Sequence, residues 1–198
     1  MEIANGLGVS RGTVREALKI LSSYGIIDIK VGNGTYICDE PKKSAIDPML
    51  FSMLLVKSDN KQLSEFRKLI EFDIIKLIFI HKDENQLELN KIEKNIKELE
   101  YLCKLEPSKE NAESTYNNDI TFHKLLGKAA KNEMAEKVYE FILDSLSYSI
   151  KVSHENQKLG MFALETHTKI FEAIKSGDIN LAQKAIEHSV DVWENLQS

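Results

Sequence analysis

The chain has 198 residues, of which 42% are hydrophobic and 29% are charged, and its formal net charge is −5 at pH 7. This composition is typical of a folded protein with a sizeable core and excludes a largely disordered chain. No segment approaches the ~20 apolar residues that span a bilayer, and the two cysteines have no metal-ligand spacing. We therefore expect a cytoplasmic protein of one or two domains, with no membrane partner.

The first 40 residues predict a small winged helix-turn-helix. Six of the nine glycines fall between residues 6 and 34, where they favour tight turns. The end of one helix is followed by a second helix that Ser10 can cap. In GIIDIKVGNGTYI, Ile27, Ile29 and Val31 alternate with polar residues as in a strand, a glycine turn follows, and an extended pattern then resumes, which predicts a β-hairpin. Helix, turn, helix and hairpin in this order are typical of the winged fold.

The second helix carries two arginines, Arg11 and Arg15, on one face. Arginine near the start of a helix in the major groove can bond guanine O6 and N7 together or bind a phosphate. The alternative is an ordinary solvated face that pairs with Glu16. Residues 1–43 carry six basic and five acidic side chains, and this excess of positive charge is too small to decide between the two roles. The helix also carries an apolar stripe that we expect to be buried, made up of Val14, Ala17, Leu18 and Leu21. The cap, the wing and this stripe together favour DNA binding.

The chain changes character after Pro41 and Pro48, which indicate a linker, with a linker helix, over residues 41–59. Beyond it, apolar residues recur every three or four positions, a spacing that predicts amphipathic helices. Gly177 can end one helix in a left-handed conformation and Asp178 can cap the next. We expect an all-α antiparallel bundle of six or seven helices over residues 60–198. Two helices begin near residues 63 and 87, and further helices follow near 110–131, 134–152, 159–176 and 178–196.

Four polar residues in the predicted bundle form a candidate metal site. Asp119 and His123 lie four residues apart, and therefore on one helix face. With His167 and His188 from later helices, they could hold a divalent cation such as Zn²⁺, Ni²⁺ or Mn²⁺. The alternative is that Asp119 and His123 are a polar pair beside a pocket, with His188 on the surface.

Arg67 is a separate candidate on a helix that is mostly apolar. A buried arginine can bind the carboxylate of an organic acid through two parallel hydrogen bonds. It could equally pair with Glu71, four residues farther along the same helix. The residues themselves leave both roles open.

The segment EIANGLGVSRGTVREALKILSSYGIIDIKVGNGTYI, residues 2–37, is similar to the signature of the GntR family of bacterial transcription regulators. The resemblance implies that one set of side chains faces operator DNA and that two further residues lie at the wing. Asn33 stands where the family often has a basic residue, a departure that weakens contact with phosphates. The residues implied on the DNA side are Ser10, Arg11, Thr13 and Arg15, with Gly34 and Thr35 at the wing.

Residues from about 60 to 196 resemble the all-helical FCD ligand-binding domain of the FadR branch of that family. The motifs are EFRKLIE, NDITFHKLLGKAAKN and THTKIFEAIKSGDINLAQKAI. The resemblance implies an effector contact at Arg67 and metal ligation by an Asp-x-x-x-His pair with two later histidines. The last histidine of the family usually lies one residue farther on, at Ser189, and a shift of one residue rotates a helical side chain by ~100°.

Together these features predict a ligand-responsive transcription regulator, not an enzyme, that binds operator DNA and a small organic acid as a homodimer. Family members usually begin with a further helix and an LPSER-like turn, so the first helix of the winged domain, residues 1–40, is expected to be missing. Three explanations are open for the missing helix: a misplaced start codon, a trimmed chain or a damaged DNA-binding domain, which we call the head. The first alternative function is a truncated effector- or metal-binding module that no longer binds DNA. The second, a metal-dependent hydrolase, lacks an evident base or nucleophile.

Overall fold

Two helices and a hairpin make up the described part of the amino-terminal head. The computed structural model describes residues 2–39, 60–154 and 157–197, so the linker predicted at 41–59 lies outside the described residues. The helices are α1 (Glu2–Leu7) and α2 (Arg11–Ser23), and the antiparallel strands are β1 (Ile27–Lys30) and β2 (Gly34–Ile37). The predicted order of helix, turn, helix and hairpin is confirmed.

Both ends of α2 are closed by hydrogen bonds that its sequence provides. At the start, the Ser10 hydroxyl accepts a hydrogen bond from the backbone N–H of Thr13 at 3.1 Å. At the end, Gly25 adopts a φ of 69°, and the N–H of Ile26 then donates to the carbonyl of Leu21 at 3.0 Å. A left-handed glycine after the last turn is the usual way to satisfy helical carbonyls, so the helix ends before the hairpin begins.

Two predictions for the head are wrong. The apolar stripe of α2 is not buried: no side chain of α2, whose residues are all described, is buried. Two short helices and one hairpin offer too few neighbouring side chains to close over that stripe; within residues 2–39 the buried hydrophobic residues are Ala4 and Ile27. Val31 belongs to the turn rather than to the strand and is 100% exposed.

The second part of the chain is a helical bundle. The chain divides into two compact units, Met1–Val56 and Lys57–Ser198, and residues 60–197 contain six described helices. Short connections join the consecutive helices, an arrangement that favours antiparallel neighbours. The helices are α3 (Asn60–Ile80), α4 (Gln86–Leu102), α5 (Lys109–Ala129), α6 (Glu133–His154), α7 (Gln157–Ser176) and α8 (Ile179–Gln197).

Local sequence sets the helix boundaries of the bundle as predicted. Gly177 has a φ of 74° and ends α7 in a left-handed conformation. The Asp178 carboxylate accepts hydrogen bonds from the N–H groups of Asn180 and Leu181 at 2.9 and 3.0 Å. Ser108 caps α5 in the same way through the N–H of Asn111, at 3.0 Å.

A single large cluster of apolar side chains fills the bundle. It includes Ile74, Ile75 and Ile78, which occupy the apolar run of α3, and residues from each of the other five helices. The Asn85 side chain is also buried, and its amide donates to the carbonyl oxygens of Ile78 and Ala129 at 2.9 and 3.3 Å. None of the described helices combines the length and apolar character that crossing a membrane requires.

Replacing Ile92 with alanine tests the position of this core. Ile92 is 0% exposed, so Ile92→Ala should lower the free energy of unfolding by about 2–5 kcal/mol through lost burial and the cavity that remains. Ile80 is 70% exposed, and Ile80→Ala should change the free energy of unfolding by less than about 1 kcal/mol. Urea denaturation followed by circular dichroism measures both. Equal losses in the two variants would contradict the described core.

Candidate functional site

The amino-terminal end of α2 presents the side chains that were predicted to face DNA. Arg11 and Arg15 are both exposed, and the Arg15 side chain is 73% exposed with its Nε 3.6 Å from Oε1 of Glu16. Ser10 and Thr13 are joined by a hydrogen bond of 2.9 Å between their hydroxyl groups. Because Ser10 also caps the helix, it has a structural task in addition to any contact with a phosphate.

The hairpin tip forms the predicted wing. Gly34 has a φ of 128°, which other residues rarely adopt, and it opens β2 beside the exposed Thr35. The Tyr36 hydroxyl donates to the carbonyl of Asn33 at 3.1 Å, and the Lys30 ammonium lies 5.2 Å from the centre of the Tyr36 ring. Lys30 therefore supplies a positive charge near the tip, where the sequence has Asn33 in place of the usual basic residue.

A second group of polar side chains lies inside the bundle, where four helices face one another. Every member is buried, and His123 is only 1% exposed. We refer to this group as the polar cluster. It comprises Arg67 and Glu71 from α3, Asp119 and His123 from α5, Tyr139 from α6 and His167 from α7.

Arg67 and Glu71 form a buried ion pair within α3. The Nε atom of Arg67 lies 2.8 Å from Oε1 of Glu71. Burial raises the pKa of Glu71, but the charge and hydrogen bond of Arg67, with the nearby His123 and His167, together leave the pKa below its ordinary value. Burial likewise opposes the charge of Arg67, yet Glu71 leaves the pKa of Arg67 raised. Both side chains are therefore charged inside the bundle.

His123 has a hydrogen-bond partner at each ring nitrogen. Its Nδ1 lies 2.8 Å from the Tyr139 hydroxyl, and its Nε2 lies 3.4 Å from Nη2 of Arg67. Burial lowers the pKa of His123 from 6.5 to about 4, although Glu71 and Asp119 act in the opposite direction. His123 is therefore neutral at pH 7.

The contact with Arg67 assigns the position of the single ring proton of His123. A guanidinium can only donate, so Nε2 must accept and the proton must reside on Nδ1. That Nδ1–H donates to the Tyr139 oxygen. Burial, followed by the Glu71 carboxylate, raises the pKa of Tyr139 well above its usual value, so the phenol keeps its own proton.

Asp119 and His167 form the other half of the polar cluster. Nε2 of His167 lies 3.1 Å from Oδ1 of Asp119. The His167 ring is stacked on Phe122, with ring centres 3.6 Å apart and an interplanar angle of 8°. Its Nδ1 is buried and has no hydrogen-bond partner in the described part of the chain. Stacking thus fixes the plane of a ring that retains an unused nitrogen.

The structure brings together three of the four predicted metal ligands. Asp119, His123 and His167 each offer one ligand atom, and these atoms all lie within 4.8 Å of one another. His188 does not join them: its side chain is exposed, and its ring centre lies 5.8 Å from that of Phe162. The adjacent Ser189 is buried instead, because the helix rotates about 100° per residue.

Sequence reasoning missed two residues of this site, Tyr139 and Phe122. Tyr139 stands on an apolar face of α6, where an aromatic residue ordinarily indicates only packing. The glycine at position 127 is the one indirect sign in the sequence of a close approach at this site. In the structure, a Cβ atom there would lie 3.3 Å from the Tyr139 ring. Glycine therefore keeps open the space in which Tyr139 approaches His123.

Comparison with known proteins matches both parts of the chain. Residues 62–191, more than half of the chain, match the FCD domain, and residues 1–37 match the bacterial regulatory proteins of the gntR family. The chain belongs to the GntR family, in its FCD-containing branch. Its members are ligand-responsive regulators of transcription that bind DNA, and so is this chain.

Individual relatives agree with this assignment. The chain is 29% identical to the HTH-type transcriptional regulator LutR of Bacillus subtilis over 203 residues, covering 98% of this chain and 88% of LutR. It is 26% identical to the putative L-lactate dehydrogenase operon regulatory protein of Escherichia coli, over 93% of this chain and 71% of that protein. Among solved structures, a Streptococcus agalactiae GntR protein shares the fold, with a TM-score of 0.68, 23% identity and coverage of 98% and 86%.

The neutral state of His123 predicts how the stability of this GntR-family regulator depends on pH. Unfolded His123 takes up a proton near pH 6.5, whereas the folded chain resists protonation until about pH 4. The free energy of unfolding should therefore fall as the pH drops from 6.5 towards 4, by on the order of 3 kcal/mol in total. Urea denaturation with a chelator present, between pH 6.5 and 5, separates this loss from carboxylate titration.

His123→Gln should flatten that pH dependence because glutamine does not titrate. The exposed His188 provides the matched control, and His188→Gln should leave the slope as it is in the wild type. An unchanged slope in His123→Gln would contradict the assignment of a neutral, buried His123.

Proposed function

We propose that the bundle binds a small organic acid through Arg67 beside a divalent cation held by Asp119, His123 and His167, and that this binding controls how the head engages operator DNA. The observation that carries the proposal is the convergence of these four side chains in one buried cluster on three facing helices. A soluble core gains nothing from such a group for packing alone, because buried charges carry a desolvation penalty.

The polar cluster has the chemistry that a divalent cation requires. Its donors are two imidazole nitrogens and one carboxylate oxygen, a set that suits Zn²⁺, Ni²⁺ or Mn²⁺. The Nδ1–H of His123 is directed at Tyr139, which leaves Nε2 as the ligand atom and matches the usual second contact of a metal-bound histidine. Asp119 supplies the carboxylate of this donor set, beside the imidazole of His167. When bound, the cation supplies an electrophilic point of attachment for a carboxylate oxygen.

Arg67 is the residue that we assign to the acid. Its guanidinium is buried and charged, Glu71 holds its Nε, and a ligand carboxylate would exchange contacts with its Nη end. A relative in Escherichia coli is named for an L-lactate dehydrogenase operon. L-Lactate is accordingly the first acid to test, followed by other small hydroxy acids and sugar acids.

We assign DNA contact to the exposed start of α2 and to the wing, with Arg11 and Arg15 as the principal base or phosphate contacts and Ser10, Thr13, Gly34 and Thr35 beside them. One head presents too small a surface for specific affinity, so we propose a homodimer that reads two half-sites in the cytoplasm. Relatives of the chain are regulators rather than enzymes, and we assign it no catalytic activity.

Replacing Arg15 with alanine tests the DNA-binding face. Loss of one arginine contact to a base or phosphate should weaken operator binding by about 1–3 kcal/mol, or roughly 5- to 150-fold in Kd. A mobility-shift or fluorescence-anisotropy titration against DNA upstream of the gene measures the change. Lys97→Ala removes an exposed positive charge from the bundle and should leave Kd unchanged, within about twofold. Equal binding by wild type and Arg15→Ala would contradict the assigned face.

Replacing Asp119 with asparagine tests the metal site. Asparagine keeps the size of the side chain but removes the charge that a cation needs, so the affinity for Ni²⁺ should fall by about tenfold or more. Chelator-treated protein titrated with Ni²⁺ in a calorimeter provides the measurement. His188→Gln should bind Ni²⁺ as the wild type does, because His188 lies outside the polar cluster. Equal affinities for Asp119→Asn and wild type, or a loss with His188→Gln, would contradict the proposed ligands.

A further inference from the structure

The Nε2 atom of His123 has two possible partners but only one lone pair. In the structure this lone pair faces Nη2 of Arg67, 3.4 Å away. The other ring nitrogen is committed to Tyr139 at 2.8 Å. A cation held by Asp119, His123 and His167 would need the same lone pair that the guanidinium now faces. The two positive groups therefore have overlapping requirements at one atom.

Charge makes these two requirements exclusive. Arg67 cannot lose its proton to make room, since guanidinium groups stay protonated in proteins. A divalent cation on Nε2 and a guanidinium at hydrogen-bond distance from the same nitrogen would repel each other in a buried site of low dielectric constant. Occupation of the metal site therefore requires that Nη2 of Arg67 leave His123.

We propose that Arg67 is a built-in competitor of the metal, and that a ligand carboxylate relieves the competition by drawing the guanidinium away from His123. This inference rests on the proposed metal and acid site and adds a rule for its regulation. Without an anion the guanidinium weakens cation binding, and with an anion both ligands bind together. By linkage, the cation must then strengthen binding of the acid by the same factor.

Glu71 gives the guanidinium a pivot for this exchange. Oε1 of Glu71 holds Nε of Arg67 at 2.8 Å, whereas the contact with His123 is made by Nη2. The Nη2 end can therefore turn from His123 to a carboxylate while Nε keeps its ion pair. The charge of Arg67 stays compensated in both positions, which a single buried arginine without Glu71 could not achieve.

The decisive comparison is between two variants of the full chain that differ only at residue 67. Glu71→Gln keeps Arg67, whereas the double variant Arg67→Met and Glu71→Gln removes the competitor without leaving a buried carboxylate unpaired. Each chelator-treated protein is titrated calorimetrically with Ni²⁺ alone. We expect the double variant to bind Ni²⁺ about tenfold or more tightly than Glu71→Gln, the gain expected when a competing contact of ~1.4 kcal/mol is removed. Equal or weaker binding by the double variant overturns the inference.

The same titrations with acetate or neutral acetamide added test the second half of the inference. Acetate should raise the Ni²⁺ affinity of the wild type by about fivefold or more and that of the double variant by less, because only direct attachment of acetate to the cation remains there, whereas acetamide should affect neither. An equal effect of acetate on both proteins overturns the inference. If either variant loses the helical circular-dichroism signal, the wild type decides alone, and failure of acetate to raise its Ni²⁺ affinity overturns the inference.

The outcomes separate this inference from the proposed function. If neither the wild type nor any variant binds Ni²⁺, the proposed metal site and the inference both fail. If all of them bind Ni²⁺ with one affinity that acetate does not alter, the metal site stands and only the competition by Arg67 is overturned.

Discussion

The buried ion pair between Arg67 and Glu71 is the constraint on which the rest of the polar cluster depends. Two charges in the centre of a helical bundle persist only when their geometry and hydrogen bonds compensate the desolvation penalty, and removal of either partner alone costs about 3–5 kcal/mol. The pair fixes the guanidinium against His123. Burial keeps His123 neutral, and the contact with Arg67 places its single proton on Nδ1, towards Tyr139. The salt bridge thus helps to set the tautomer of the histidine beside it.

This arrangement links stability to function in the FCD domain of the chain. The apolar core closes around the cluster and holds Nε2 of His123 against Nη2 of Arg67, the two atoms at which we propose that ligands exchange contacts. A site of this kind is assembled before any ligand arrives, so binding energy is spent on exchanging contacts rather than on ordering side chains.

Much of this architecture could be predicted from local sequence. The helix ends at Ser10, Gly177 and Asp178 follow from capping chemistry. The helices α3 to α8 follow from apolar residues that recur every three or four positions. The pairing of Asp119 with His123 follows from their separation of four residues. Partners distant in sequence could not be found in this way. From sequence alone, Tyr139 is an ordinary aromatic residue of the core, and its contact with His123 follows only from the packing of α6 on α5. The exposure of His188 depends on the rotation of α8 about its axis. The exposed stripe of α2 shows that an amphipathic pattern predicts a face but not whether neighbours cover it.

The tautomer of His123 provides the most direct test, because the contact of Nε2 with Arg67 leaves Nδ1 as the nitrogen that carries the proton. Nitrogen-15 NMR of the chelator-treated full chain at pH 7, with the signals assigned through His123→Gln, distinguishes the two ring nitrogens. We predict a neutral ring with a protonated Nδ1 and an unprotonated Nε2 that accepts a hydrogen bond. A proton on Nε2, on either a neutral or a charged ring, would contradict it.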